Sequence, residues 1–159
     1  MTAKPRHVPE GYHSLTPYII VDGAARAIAF YQTAFGAREV MRLDGPGGKV
    51  GHAEMTIGGS KFMLADEFPD FDAHGPGHFG GSPITLHLYV EDADGSMARA
   101  VAAGATLVRP AVDQFYGDRI GSVKDPFGHV WYLATRKENF TVEELQRRSA
   151  AHLKQQGGG

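Results

Sequence analysis

The chain of 159 residues has no cysteine, little excess charge and no long apolar run. Without cysteine it cannot form disulfides, zinc–sulfur sites or a thiolate nucleophile. A formal net charge of −2 gives no electrostatic reason to expect nucleic acid or a membrane surface as a partner. No apolar run approaches the roughly 18 residues of a membrane-spanning helix, and residues 1–10 lack the apolar core of a signal peptide. These absences predict a soluble, cytoplasmic protein.

The most informative stretch is a turn followed by an apolar strand, residues 125–134. Asp-Pro followed by Gly is typical of a tight turn, and the aromatic and aliphatic residues after it are typical of a buried strand. A similar stretch occurs 69 positions earlier, and it aligns Gly59 with Gly128 and Met63 with Tyr132. The same shift aligns Val21 with Val90, so the chain is predicted to contain two copies of one module.

Each copy shows the order β-α-β-β-β. In the first, strands are predicted at 14–21, 38–43, 50–57 and 60–65, with a helix that Asp22 caps and Gly36 ends. In the second, they are predicted at 84–90, 105–109, 119–124 and after the turn at 125–128. Asp92 is predicted to cap the helix at 93–103, and Pro110 to interrupt the second strand.

These predicted elements divide one compact domain into five segments. We predict an N-terminal arm at 1–13, a first module at 14–67, an inter-module loop at 68–82, a second module at 83–135 and a C-terminal helix and tail at 136–159. The last helix opens with a capping box, Thr141 and Glu144, and runs to about residue 155. Leu145, Arg148 and Leu153 are predicted to face inward, and the glycines at 157–159 form a frayed end.

The two modules and three motifs resemble the vicinal oxygen chelate superfamily, which includes glyoxalase I, extradiol dioxygenases, fosfomycin-resistance enzymes and bleomycin-binding proteins. The motifs are Phe30-Tyr31, Phe35-Gly36-Ala37 and Asp125-Pro126-Phe127-Gly128-His129. The segments 16–18, 52–54, 115–119 and 125–131 are similar to its PhnB-like branch. The resemblance covers about residues 15–135. It implies an α+β fold in which two tandem βαβββ modules form a curled mixed sheet around a cavity, and it implies a homodimer.

The resemblance also implies positions for metal ligands on the first and last strands of each module. Those positions fall at Thr16, Met63, Thr85 and Tyr132. Metal-dependent members place His, Glu or Gln there, because a divalent cation needs strong nitrogen or oxygen donors. We therefore predict no metal at these positions and no cofactor, while metal binding at a different position stays open.

Strand alternation, started from those four positions, predicts which side chains line the cavity. Trp131 and the set Ala53, Met55 and Ile57 are predicted to point toward the helices. Arg119 is a further candidate for ligand binding. The predicted lining is Tyr18, His52, Glu54, Met63, His87, Tyr89 and Tyr132.

Several candidates have a structural alternative. His52 and Glu54 could satisfy each other on a solvated face, and His87 could be an ordinary wall residue. His129 is predicted to donate to a nearby carbonyl group. Asp118 and Arg119 could pair with each other or clamp a substrate. His74 and His78 are separated by Gly75, Pro76 and Gly77, so no helix and no metal site is predicted there.

Two functions follow. The favoured one is a metal-independent binder of a small, planar, largely apolar molecule. The alternative is a lyase, isomerase or dioxygenase-like enzyme acting on a small oxygenated substrate, with His52 and Glu54 as the base or as a relocated metal site. Nucleophilic catalysis has no support, because the chain has neither Cys nor a Gly-X-Ser-X-Gly motif.

Overall fold

The computed structural model describes residues 4–158, so residues 1–3 of the predicted arm and residue 159 of the tail lie outside the description. The chain divides into two compact units. The first holds the described residues up to Pro83 together with Pro126–His129, and the second holds Ile84–Asp125 and the described residues from Val130 onward. Each unit contains a four-stranded mixed sheet that is not closed. The predicted α+β fold with two βαβββ modules is confirmed.

The first unit places one helix against one face of its sheet. Its elements are β1 (Tyr18–Val21), α1 (Ala24–Phe35), β2 (Arg38–Asp44), β3 (Val50–Ile57) and β4 (Ser60–Asp66), with the sheet order β1-β4-β3-β2. The strand β3 shows the predicted alternation, because Ala53, Met55 and Ile57 are buried while His52 and Glu54 are only partly so. The two sides of this sheet are therefore chemically distinct.

The cap of α1 differs from the prediction. Gly23, and not Asp22, occupies the N-cap position, and no side chain at that position caps the helix. Asp66, at the end of β4, accepts hydrogen bonds at Oδ1 from the backbone N–H groups of Gly23 (2.9 Å) and Ala24 (2.8 Å). Its Oδ2 accepts a third from Val50 (2.8 Å). A buried carboxylate from another strand thus satisfies the helix N-terminus.

The loop after β4 contains more structure than predicted. A 3₁₀ turn spans Pro69–Phe71, and a four-residue helix, α2, spans Pro76–Phe79. Pro76 stands at its start, where a missing N–H costs nothing, and Gly80 ends it at φ 77°. The prediction that no helix forms here was wrong, because the proline that breaks a helix interior suits a helix start.

The second unit repeats the arrangement with the sheet order β5-β8-β7-β6. Its elements are β5 (Thr85–Tyr89), α3 (Ala93–Ala103), β6 (Thr106–Asp113), β7 (Asp118–Lys124), β8 (Val130–Arg136) and α4 (Val142–Gln156). As predicted, Asp92 caps α3 by accepting from Gly95 N–H (3.1 Å). Trp131 is 3% exposed and donates to Asp125 Oδ2 (2.9 Å), so it is the predicted core residue.

Two further predictions in this unit need correction. Pro110 does not interrupt β6, which runs to Asp113. The pairing with β7 shifts register between Arg109 and Val112, and an edge strand tolerates proline at such a bulge. Thr141 caps α4 as predicted, by accepting from Glu144 N–H (3.2 Å), but Leu153 is 64% exposed and does not face inward. Among residues 4–158, no helix is long and apolar enough to cross a membrane.

Candidate functional site

A row of side chains crosses the face of the first sheet opposite to α1. Tyr18 of β1 is in register with Met63 of β4, and Met63 is in register with Glu54 of β3. His52 lies two residues before Glu54 on the same face, because side chains alternate along a strand. The four first-module residues predicted to line the cavity therefore share one face of one sheet.

Three of these residues form a continuous hydrogen-bonded chain. The Tyr18 hydroxyl lies 2.9 Å from His52 Nδ1, and His52 Nε2 lies 3.3 Å from Glu54 Oε1. The Tyr18 and His52 rings are also in contact, with centroids 5.5 Å apart. The pairing of His52 with Glu54 is one of the alternatives left open by the sequence, and the structure shows it. Tyr18 occupies the second ring nitrogen of His52, a contact that no sequence pattern indicated.

Tyr12 extends the chain, although the sequence assigned it to an unpatterned arm. Its hydroxyl is buried and interacts with the Glu54 carboxylate without a hydrogen bond of standard geometry. Burial is the largest cause that raises the pKa of Tyr12 to about 12, and the Glu54 carboxylate is the next. The Lys61 ammonium lies 4.4 Å from the centroid of the Tyr12 ring and holds that segment against the sheet. Only its aromatic character and its nearness to β1 could have indicated this role.

The electrostatics of the chain keep Glu54 ionised. The Tyr12 hydroxyl lowers the pKa of Glu54 most, while His52 and Lys61 lower it further against the opposing effect of burial. Burial raises the pKa of Tyr18, so its phenol stays neutral. The arrangement is a carboxylate, an imidazole and a phenol in series.

A cavity of about 390 Å³ adjoins this chain on the same unit. Tyr18, Ile20 and Ala65 form part of its wall, and the loop after β4 contributes Phe68 and Phe71. Tyr18, which is 48% exposed, belongs to both the cavity wall and the hydrogen-bonded chain. The remaining lining residues are Pro46, Gly51, Asp66 and Ala73.

The positions at which the family resemblance implies metal ligands carry unsuitable side chains. Thr16 and Met63 of the first unit offer a neutral hydroxyl and a thioether, and Thr85 and Tyr132 of the second offer two neutral hydroxyl groups. Hard divalent cations favour carboxylate and imidazole donors over these. Across residues 4–158, no three His, Asp or Glu side chains converge in a way that could hold a metal ion. The residues present do not fit the superfamily's metal.

The predicted site residues of the second unit occupy the matching face of their own sheet. His87 is in register with Tyr132, their rings are nearly parallel at 6.3 Å, and His87 also contacts Tyr89 at 4.9 Å. The Tyr89 hydroxyl donates to Asp118 Oδ2 (3.2 Å). Ser122, in register with Tyr132, is fully buried. Their part in ligand binding stays a prediction.

Arg119 and His129 are held by neighbouring groups. Arg119 pairs with Asp94 (2.6 Å) and Asp113 (3.2 Å), while Asp118 pairs with Arg136. Of the two alternatives left open by the sequence, the pairing of Asp118 with Arg119 is therefore not observed. His129 donates from Nε2 to the Ile20 carbonyl (2.9 Å), which confirms its structural role.

The two histidines of the loop after β4 contact each other directly. His74 and His78 stack with centroids 3.8 Å apart, and His74 Nε2 lies 3.3 Å from Asp72 Oδ1. The helix α2 brings the two rings together, which the sequence prediction of an unstructured loop did not anticipate.

Comparison with known families decides the classification. The profile of the Glyoxalase/Bleomycin resistance protein/Dioxygenase superfamily matches residues 11–133. The chain belongs to this superfamily. It is 43% identical over 149 residues to an uncharacterised protein of Mycobacterium bovis, covering 92% of this chain and 95% of that one.

Two crystal structures show the same fold. A gene product of Arabidopsis thaliana is 30% identical, with a TM-score of 0.61 over 77% of this chain and 98% of that one. TioX from Micromonospora sp. ML1 is 26% identical, with a TM-score of 0.61 over 81% and 100% of the two chains. This superfamily protein therefore has a well-supported fold, and its activity must be argued from its own site.

Proposed function

We propose that this superfamily member is a metal-independent binding protein for a small, planar, largely apolar molecule. The single observation that carries the proposal is the cavity of the first unit, a space of about 390 Å³ whose wall includes Tyr18, Phe68 and Phe71. This volume suits a molecule of one or two fused rings, since ligand sites of this kind are mostly apolar with a few placed polar groups. The chain of Tyr18, His52 and Glu54 supplies the polar end.

The chemistry of the wall supports an aromatic ligand. Phe68 and Phe71 form part of the wall on the loop side, and Tyr18 forms part of it on the strand side. Stacked or edge-on aromatic pairs add about 0.5–1.5 kcal/mol beyond the area that they bury. The loss of good metal donors at the four superfamily positions favours sequestration of a ligand over metal-assisted chemistry.

A second function has one specific observation in its favour. Carboxylate, imidazole and phenol stand in series, as a proton relay requires, so the protein could instead act as a lyase or isomerase on a small oxygenated substrate. His52 would then move the proton, and Glu54 would orient the imidazole and stabilise its charged form. Loss of turnover in His52→Ala, with ligand affinity retained, would favour this enzyme over the binding protein.

The segments 16–18, 52–54, 115–119 and 125–131 support a finer placement in the PhnB-like branch. Two of them, Thr16-Pro17-Tyr18 and His52-Ala53-Glu54, contribute to the hydrogen-bonded chain described above. We propose that the hydrogen-bonded chain of Tyr18, His52 and Glu54 is a feature of this branch. Replacement of His52 or Glu54 should therefore affect ligand recognition.

The proposal is tested by the wall residue Phe71. Naphthalene serves as the probe, and its dissociation constant is measured by NMR titration. Phe71→Ala is expected to weaken binding about tenfold, because it removes one aromatic wall of the cavity. Phe79→Ala is the matched control, since Phe79 is similarly exposed but does not line the cavity. Absence of naphthalene binding, or equal losses in both variants, would contradict the proposal.

A further inference from the structure

Tyr18, His52 and Glu54 form the relay, and their protonation states determine which hydrogen-bonding groups the cavity offers to a ligand. Glu54 is ionised, so its oxygens only accept hydrogen bonds, and His52 must carry a proton on Nε2 to donate to it. When His52 is neutral, with its proton on Nε2, its Nδ1 accepts the proton of the Tyr18 hydroxyl.

This orientation leaves the Tyr18 oxygen with only lone pairs for a ligand. No other lining side chain carries a hydrogen-bond donor. Asp66, the second polar residue of the lining, is an acceptor, and its two oxygens already receive three backbone N–H groups. The side chains of the cavity thus offer acceptors to a ligand and no free donor.

We infer that the cavity selects an aromatic molecule that donates a hydrogen bond, such as a phenol or an aromatic amine, and that His52 and Glu54 are positioning residues for this selectivity. The inference rests on the proposed binding function and names its ligand class. A ligand that can only accept at this point would either meet the Tyr18 oxygen without a hydrogen bond or force the relay to reverse. Neither is favourable, because an acceptor that the bound ligand buries without a donor costs free energy.

The described groups around a neutral His52 fit this direction of the relay. Tyr18 approaches from β1, Glu54 lies on the same strand, and Leu43 of β2 is the register partner of His52. Lys61 of β4 and Tyr12 act on Glu54, and both favour its ionised form. Lys49 does not line the cavity: its ammonium lies 5.3 Å from the Phe68 ring centroid and donates to the Glu67 carbonyl.

The experiment compares three probes of one shape, 2-naphthol, 2-methoxynaphthalene and naphthalene, by titration of the full chain. We expect 2-naphthol to bind about tenfold more tightly than its methyl ether, since one hydrogen bond distinguishes them. Tyr18→Phe should remove this difference while naphthalene binding is retained. Glu54→Gln should reduce it, because an amide can donate or accept and no longer fixes the tautomer of His52. Tyr116→Phe, a tyrosine outside the cavity, should leave it unchanged.

The outcomes separate this inference from the binding proposal. Equal affinity for 2-naphthol and its methyl ether, with naphthalene bound, would overturn the donor selectivity and leave the binding function standing. Tighter binding of the ether would also overturn it. Failure of all three probes to bind would overturn the binding function itself. A tenfold preference that persists in Tyr18→Phe would assign the selectivity to a different group and refute the relay.

Discussion

At the scale of single residues, the central electrostatic feature is the contact of Tyr12 with Glu54. The Tyr12 hydroxyl is the largest cause of the lowered pKa of Glu54. A carboxyl group whose pKa is lowered on folding stabilises the fold above its ordinary titration range, and this contribution is lost as the pH falls through the folded value. The fold should therefore lose stability in acid partly through Glu54.

Tyr12→Phe should make that acid-dependent loss smaller, because the folded and unfolded pKa values of Glu54 then lie closer together. Without the phenol, the pKa of Glu54 rises toward its ordinary value, and ¹³C NMR of the carboxyl group measures the shift directly. Tyr116→Phe is the matched control, because Tyr116 is not among the groups that shift the pKa of Glu54. A titration of Glu54 that is identical in wild type and Tyr12→Phe would show that the phenol does not act on this carboxylate.

The sequence predicted the positions of some of these residues and not of others. The alternation along β3 was enough to place His52 and Glu54 on one face. Because Ala53, Met55 and Ile57 are buried on the side of the helix, the residues between them point to the opposite side. The bond from Tyr18 to His52 joins residues 34 positions apart, and no local pattern carries it. Tyr12 lies in a segment without periodicity, so its burial depends on tertiary contacts alone.

At the scale of secondary-structure elements, the two helix caps show the same limit. Asp92 caps its own helix through a local contact, and the sequence predicted it correctly. Asp22 stands at the equivalent place before α1, yet the cap comes from Asp66, 42 residues beyond Ala24. A capping pattern read from the sequence assumes a local partner, and at α1 a nonlocal carboxylate takes that place.

Asp66 should therefore matter far more to stability than Asp22. Asp66→Ala leaves three backbone N–H groups without their acceptor, and we expect it to cost on the order of 2–4 kcal/mol of unfolding free energy. Asp22→Ala, at an exposed position without a cap bond, should change it by less than about 0.5 kcal/mol. Urea denaturation of both variants measures the difference. Equal costs would mean that the N-terminus of α1 does not depend on Asp66.

At the scale of the whole molecule, each open sheet ends in an exposed edge strand. Val40 and Leu43 of β2 are about half exposed, and so are Leu107, Val108 and Val112 of β6. Exposed apolar edge strands invite pairing with another chain, and monomeric proteins usually protect them with charge or a covering segment. This exposure supports the homodimer that the family resemblance led us to expect.

We predict that the protein is a homodimer that uses the β6 edge. Sedimentation equilibrium at tens of micromolar, where an interface of standard size should hold, is expected to give twice the 17.1 kDa mass of the chain. Val108→Lys places a charge on the apolar edge and should shift the protein toward the monomer, because pairing would bury an unpaired ammonium group. Val101→Lys, at a similarly exposed position on α3, should leave the mass unchanged. A monomeric wild-type protein would refute the dimer, and a dimer that survives Val108→Lys would place the interface on a different surface.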